Sequence, residues 1–224
     1  MPLSGTGMLI TLMDVLPHEE ADFNDWYDKE HLAERVQIEG FLEARRYVAV
    51  DESESPKAKY LNLYTTRDFA VLDSEEYKRV LQSQTPRSVH HIPKFLNGTR
   101  ALARVSTSIG QGRGGYVASL HLRPSSVEQQ ESLREVLVPI MRDAVAAELI
   151  SAHILEGDPE LSRPLMTDAE VASVTDWFVI LDATQLEVAQ QGLQNLLAQA
   201  GLQDEIIVSQ GLYRLLWDLS KNEL

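Results

Sequence analysis

The stretch FNDWYDKEHLAERV, residues 23–36, sets Trp26, Tyr27, Glu30 and His31 within two helical turns. Imidazole titrates close to neutrality, so His31 is the candidate general acid or base. Trp26 and Tyr27 can bury their ring bodies and still offer polar tips, which suits a pocket wall. Downstream, EARRY at residues 43–47 brings two adjacent guanidiniums. On a strand they point to opposite faces. Arg45 could orient an anionic group through paired N–H donors. Arg46, turned toward the helices, needs a carboxylate if buried, and Glu30 is the candidate partner. Tyr60, Asn62 and Tyr64 alternate along the next strand and are expected on the face of Arg45 and Tyr47. So polar and aromatic a face predicts a cavity between two sheets.

Each residue also has a plain structural reading. His31 can be a hydrogen-bonded histidine at a helix border, and Arg46 half of an ion pair. His90 and His91 are expected in an irregular, extended segment, where neighbouring side chains diverge, and no metal-ligand spacing surrounds them. No metal site is expected. His121, His153, Trp177 and Trp217 read as packing residues on strands. Residues 108–116, SIGQGRGGY, lack the Gly-Lys-Ser/Thr ending of a phosphate loop and read as a flexible connector. No nucleophile elbow is present.

The elements that must position these groups follow from periodicity. Residues 8–14 form a strand, the segment after Pro17 a helix stopped by Gly40, and 41–51 and 59–66 two strands. A polar turn, DESESPK, joins those two. A helix at 68–82 and a strand at 99–109 complete the order βαββαβ. The second half repeats it: strand 115–123, helix 126–149 kinked at Pro139, strands 150–158 and 173–183, helix 184–201 and strand 205–219. Thr184 and Gly201 are the expected caps of that last helix. The fold class is therefore α+β, with tandem ferredoxin-like repeats, 1–110 and 111–224, packed sheet to sheet as a pseudo-dimeric barrel.

Composition narrows the partners. The chain has 224 residues, 44% hydrophobic, with 20 basic and 34 acidic groups and a net charge of −14. The first half carries −4 and the second −10. Such a field repels phosphate backbones and anionic membranes, so no nucleic-acid or membrane partner is expected. Cysteine is absent, which removes disulfides and thiolate chemistry. No signal peptide or membrane span is read, and the expected location is cytoplasmic.

W-Y-x-x-E-H-L followed by G-F-x-x-A-R-R-Y resembles the first helix and second strand of the EthD-like group of dimeric α/β-barrel proteins. The resemblance covers about residues 8–105 and reaches the second half only through element order. It implies a ferredoxin-like fold that pairs into a barrel, with a ligand cleft between the first helix and the sheet. Relatives include monooxygenases that use no metal, lactone isomerases, haem-binding enzymes and proteins without known activity. By carry-over His31 is the catalytic candidate, with Trp26, Tyr27 and Arg45 lining the site.

Two functions of different class follow. One is a cofactor-light oxygenase or isomerase acting on a small apolar or aromatic compound that can carry a carboxylate; no cofactor is expected. There His31 moves a proton, Arg45 orients an anion, and Trp26, Tyr27, Tyr47, Tyr60 and Tyr64 form the wall. The other is a non-catalytic binding or structural protein with a vestigial cavity. A haem protein ranks third. The partner is a small-molecule ligand, and the chain is either a monomer that is its own pseudo-dimer or a homodimer.

Overall fold

The computed structural model describes residues 3–50, 58–162 and 176–224. The expected DESESPK turn and the start of the strand at 173 lie outside the described residues. Eight strands close into an antiparallel barrel: β1 (Gly7–Asp14), β2 (Phe41–Ala49), β3 (Tyr60–Thr66), β4 (Leu96–Gly110), β5 (Tyr116–Leu122), β6 (Ser151–Gly157), β7 (Trp177–Ala183) and β8 (Ile207–Ser220). Around the ring the order is β1-β3-β2-β8-β5-β7-β6-β4. Pairing of β2 with β8 and of β4 with β6 joins the two four-stranded sets, so no sheet edge stays open.

The helices cover the outside of the barrel. The first is α1 (Glu20–Trp26), a π-turn (Tyr27–His31) and α2 (Leu32–Val36) in one run. Then come α3 (Glu75–Gln82), α4 (Pro86–His91), α5 (Val127–Ala147) and α6 (Leu186–Ala200). The single helix expected at 68–82 is a 3-10 turn at Phe69–Asp73 followed by α3, because Ser74 leaves the helical region and caps the Tyr77 amide. The irregular segment expected around His90 contains a helix instead. Thr85 caps the Ser88 amide and Pro86 occupies the first turn, a strong start signal. Gly201 ends α6 at φ 56°, as its position in the sequence suggests, but Gln185 rather than Thr184 precedes the helix.

Three apolar clusters hold the molecule together. Leu, Ala, Val and Met side chains of α5 and α6 fill the outer face of the second sheet. Met8, Ile10, Tyr47, Leu61, Leu63, Val117, Phe178, Ile180 and Tyr213 fill the barrel interior. The expected hollow between the sheets is not seen there among the described residues: a void lined by Arg45, His153 and Asp182 measures about 10 Å³. The third cluster packs the first helix, with its aromatic residues, on the outer face of β1, β3 and β4.

The glycine-rich connector is pinned rather than loose. Gly114 N–H donates to Asp182 Oδ1 at 3.2 Å, and its carbonyl accepts from Arg45 Nη2 at 3.1 Å. A Cβ at Gly114 would stand 1.8 Å from the Ala183 carbonyl oxygen, so only glycine lets the backbones approach this closely.

Candidate functional site

The site begins with a phase problem in the first helix. In an uninterrupted α-helix, residues nine apart differ by about 180° around the axis. Leu32 and Val36 would then face water while Phe23 faced the core. The π-turn inserts one extra residue: the Leu32 amide donates to the carbonyl of Tyr27, five residues back. Phe23, Trp26, Tyr27, His31, Leu32, Arg35 and Val36 all become buried. Glu30, expected beside His31 at the buried border, turns to the rim and accepts from Thr85 Oγ1 at 2.7 Å.

Beneath this helix lies a cavity of about 310 Å³. It sits against the outer face of the barrel, between β1, β3 and β4 on one side and the π-turn, α2 and α3 on the other. Leu9, Met13, Leu81, Ile92 and Phe95 give it apolar walls, and Tyr27, His31, Arg35, Tyr64, Tyr77 and Arg100 supply polar groups. The volume is at the lower end of the range for small-ligand sites, roughly 300–1,000 Å³. Tyr64 donates to the Tyr27 hydroxyl at 2.8 Å, and that oxygen lies 3.5 Å from Thr11 Oγ1. Burial raises the pKa of both phenols, so both stay protonated.

His31 is 7% exposed. Its Nδ1 has no hydrogen-bond partner, and the nearest carboxylate oxygen, Glu34 Oε2, is 3.6 Å away. Burial drives its pKa from 6.5 down to about 4; Glu34 opposes the shift, and the Arg35 and Arg46 charges add to it. The ring is therefore neutral at pH 7. Trp26 backs it at 4.6 Å between centroids and stacks on His91 at 4.7 Å.

Of the expected site residues, the structure brings His31, Tyr27 and Tyr64 to the cavity wall, with Trp26 directly behind. Tyr60 lies on the same outer face but turns away, donating to the Glu20 carboxylate. Arg45 and Tyr47 are not on this face. In an antiparallel pair, residues directly opposite share a face. Arg45 pairs with Leu63 and Tyr47 with Leu61, whereas Tyr64 pairs with Ala44 and Tyr60 with Val48. Arg45 points into the barrel, 3.4 Å from Asp182 Oδ1. Arg46 takes the helix side as expected, but its carboxylate is Asp28 rather than Glu30. It also donates to Asn24 and lies 4.6 Å from the centroid of Tyr60 and 4.7 Å from that of Tyr27.

Thr11, Arg35, Tyr77 and Arg100 complete the site without having been singled out in the sequence. Arg35 carried a readable signal, since it lies four residues beyond His31 and so on the same helix face. Tyr77 and Arg100 reach the cavity from distant segments and meet each other there, Arg100 Nη2 donating to the Tyr77 hydroxyl at 3.1 Å. His90 and His91, helical rather than extended, converge with Glu19 so that one ligand atom of each lies within 4.8 Å of the others. The Lys94 ammonium already sits there, 2.8 Å from Glu19 Oε2 and 2.8 Å from His90 Nε2.

No family model matches the sequence, and neither does any curated protein. Solved structures do match in fold. An anthrone oxidase-like protein superposes with a TM-score of 0.61 at 14% identity, over 99% of this chain and 95% of its own. A putative monooxygenase from Fusobacterium nucleatum gives 0.59 at 10% identity, over 98% and 96%. One from Lactobacillus acidophilus gives 0.57 at 9% identity, over 96% and 97%. The chain shares its fold with these solved structures. Among the described residues no helix is long and apolar enough to cross a membrane.

Proposed function

We propose that the chain is an oxygenase-type enzyme acting on a small aromatic compound held in the cavity beneath the first helix. The observation that carries this reading is the buried, neutral His31 ring among the residues that line an apolar cavity. His31 removes a proton from an activated C–H or O–H of the substrate. As a free imidazole it is a weak base. The anion formed beside it stabilises the imidazolium, so proton transfer becomes favourable only when the two charges form together. The electron-rich anion then reacts with dioxygen as co-substrate, or regains the proton at another carbon in an isomerase variant of the same chemistry. The names of the fold neighbours, which include an anthrone oxidase-like protein and two monooxygenases, favour the oxygenase branch.

The depressed basicity of His31 favours a second reading, a binding protein without turnover. Oxygen uptake with anthrone as probe separates the two. Uptake by the wild type that falls at least a hundredfold in His31→Ala supports catalysis. Binding of anthrone without uptake supports the second reading. A haem is not favoured, because the cavity of about 310 Å³ lies at the lower end of the range for small-ligand sites and Trp26 and Tyr27 crowd the His31 ring at 4.6 and 4.9 Å between centroids.

The finer assignments rest on the same features. The order β4-β1-β3-β2 recurs as β8-β5-β7-β6, which supports tandem ferredoxin-like halves at 1–110 and 111–224 in a pseudo-dimer. The W-Y-x-x-E-H segment lies along the cavity, which supports an EthD-like site in the first half. A cytoplasmic monomer or homodimer suits a barrel closed within one chain.

A further inference from the structure

Arg35 is 4% exposed and lines the cavity, yet it has no ion pair or hydrogen bond from its side chain among the described residues. Its Nη1 is buried without any partner. A buried guanidinium without a counter-ion is costly, because the lost hydration is not replaced. The other arginines in the interior of the protein do have partners: Arg46 has Asp28, and Arg45 has Asp182. Glu34, next in sequence to Arg35, accepts from Ser88 Oγ at 3.2 Å and is not part of the cavity wall.

The rest of the lining does not supply the missing charge. Among the described residues no Asp or Glu borders the cavity. Arg100 adds a second positive charge and spends its donors on neutral oxygens, the Tyr77 hydroxyl and the Leu161 carbonyl at 3.3 Å. The protonated Tyr27 and Tyr64 hydroxyls stand on the same wall. Arg35 is close enough to favour their ionised forms, and burial outweighs it. The site therefore joins apolar walls to uncompensated positive charge in a protein whose net charge is −14.

We propose that the cavity selects aromatic acids, and that the Arg35 guanidinium holds the anionic oxygen of the ligand, with Arg100 adding to the field. The proposal rests on the cavity being the ligand site and names the class of compound it takes. The fork of N–H donors suits a carboxylate or an ionised phenol, and the apolar walls take the ring. A negative oxygen at Arg35 also leaves the reacting carbon or hydroxyl near His31 on the same wall. Arg35 is thus a binding and positioning residue, distinct from the proton acceptor.

The test compares 2-naphthoate with 2-naphthamide, its neutral twin, by calorimetry on the full chain. The wild type is expected to bind the carboxylate at least about tenfold more tightly, the scale of a charge-assisted hydrogen bond in a dry site. Arg35→Met is expected to erase that preference while keeping affinity for the amide, and Arg35→Lys to restore part of it. Equal affinity of the wild type for both probes overturns the proposal and leaves the cavity reading intact. A preference undiminished in Arg35→Met removes Arg35 from the role. If neither probe binds, or if both still bind to Leu9→Trp, in which the cavity is filled, the cavity reading itself fails. The wild-type comparison stands even if Arg35→Met does not fold. With 4-nitrophenol, a yellow colour appearing on binding below its solution pKa extends the class to phenolates.

Discussion

The Tyr64 hydroxyl donates to the Tyr27 hydroxyl at 2.8 Å, tying the middle of β3 to the π-turn of the first helix. The pair is buried, and a 3.5 Å contact to Thr11 Oγ1 extends it. It is the polar floor on which the cavity rests. Tyr64→Phe should cost about 1 kcal/mol, the net worth of one buried hydrogen bond. Urea unfolding reads this directly. A variant as stable as the wild type would mean that the bond adds no net stability.

His31 makes stability depend on pH in a defined window. Its folded pKa is about 4 against 6.5 for the ordinary imidazole. The unfolded chain therefore binds a proton between these values and the folded chain does not. The His31 contribution is complete above pH 6.5 and falls away as the pH drops toward 4. It amounts to something on the order of 3 kcal/mol. His31→Phe, which keeps a ring but cannot titrate, should lose stability less steeply over that range. Parallel urea midpoints for the two proteins would refute the account.

Arg46 is fully buried, held by Asp28 and Asn24 and stacked on the rings of Tyr27 and Tyr60. Arg46→Ala leaves a cavity and strands the Asp28 carboxylate, at a cost of about 3–5 kcal/mol. Arg46→Lys should recover little of this, because a compact ammonium lacks both the planar, divergent donors that reach Asp28 and Asn24 together and the flat face that stacks on the rings. Thermal unfolding of both variants gives the comparison. Full recovery by lysine would reduce the site to simple charge pairing.

Asp182 holds Arg45 and the Gly114 amide inside the barrel, and its Oδ2 lies 3.5 Å from His153 Nε2. Asp182→Ala should destabilise the chain by about 3–5 kcal/mol, since it leaves Arg45 buried and unpaired. None of these groups borders the cavity under the first helix, so the affinity of the folded variant for 2-naphthoate should not change. A tenfold loss would place Arg45 in ligand binding after all. Equilibrium unfolding and calorimetry on the same preparation separate the two effects.

How far the sequence reached differs from residue to residue. The aromatic helix, the breaks at Gly40 and Gly201 and the period-two strands could all be read along the chain, because each depends on local backbone preference and spacing. The approach of Gly114 to Ala183 could not, since it depends on a strand nearly seventy residues later. The helix at Pro86 was marked by Thr85 and Ser88, but the dense Ser, Thr and Pro content of the segment resembles a loop just as closely.

The alternation of strands and helices, and the gathering of Trp26, Tyr27 and His31 on one helix, were already determined by the sequence alone. Alternation has a period but no absolute phase, so the sequence could not say which face of β3 joined which face of β2. Pairing in the folded barrel decided that, and it moved Arg45 and Tyr47 inside while turning Tyr64 toward the helix. The π-turn did the same for the helix, advancing its inward stripe by one residue and carrying His31 and Arg35 into the cavity. In both cases the outcome depended on contacts between segments far apart in the chain, and only the assembled tertiary structure contains those.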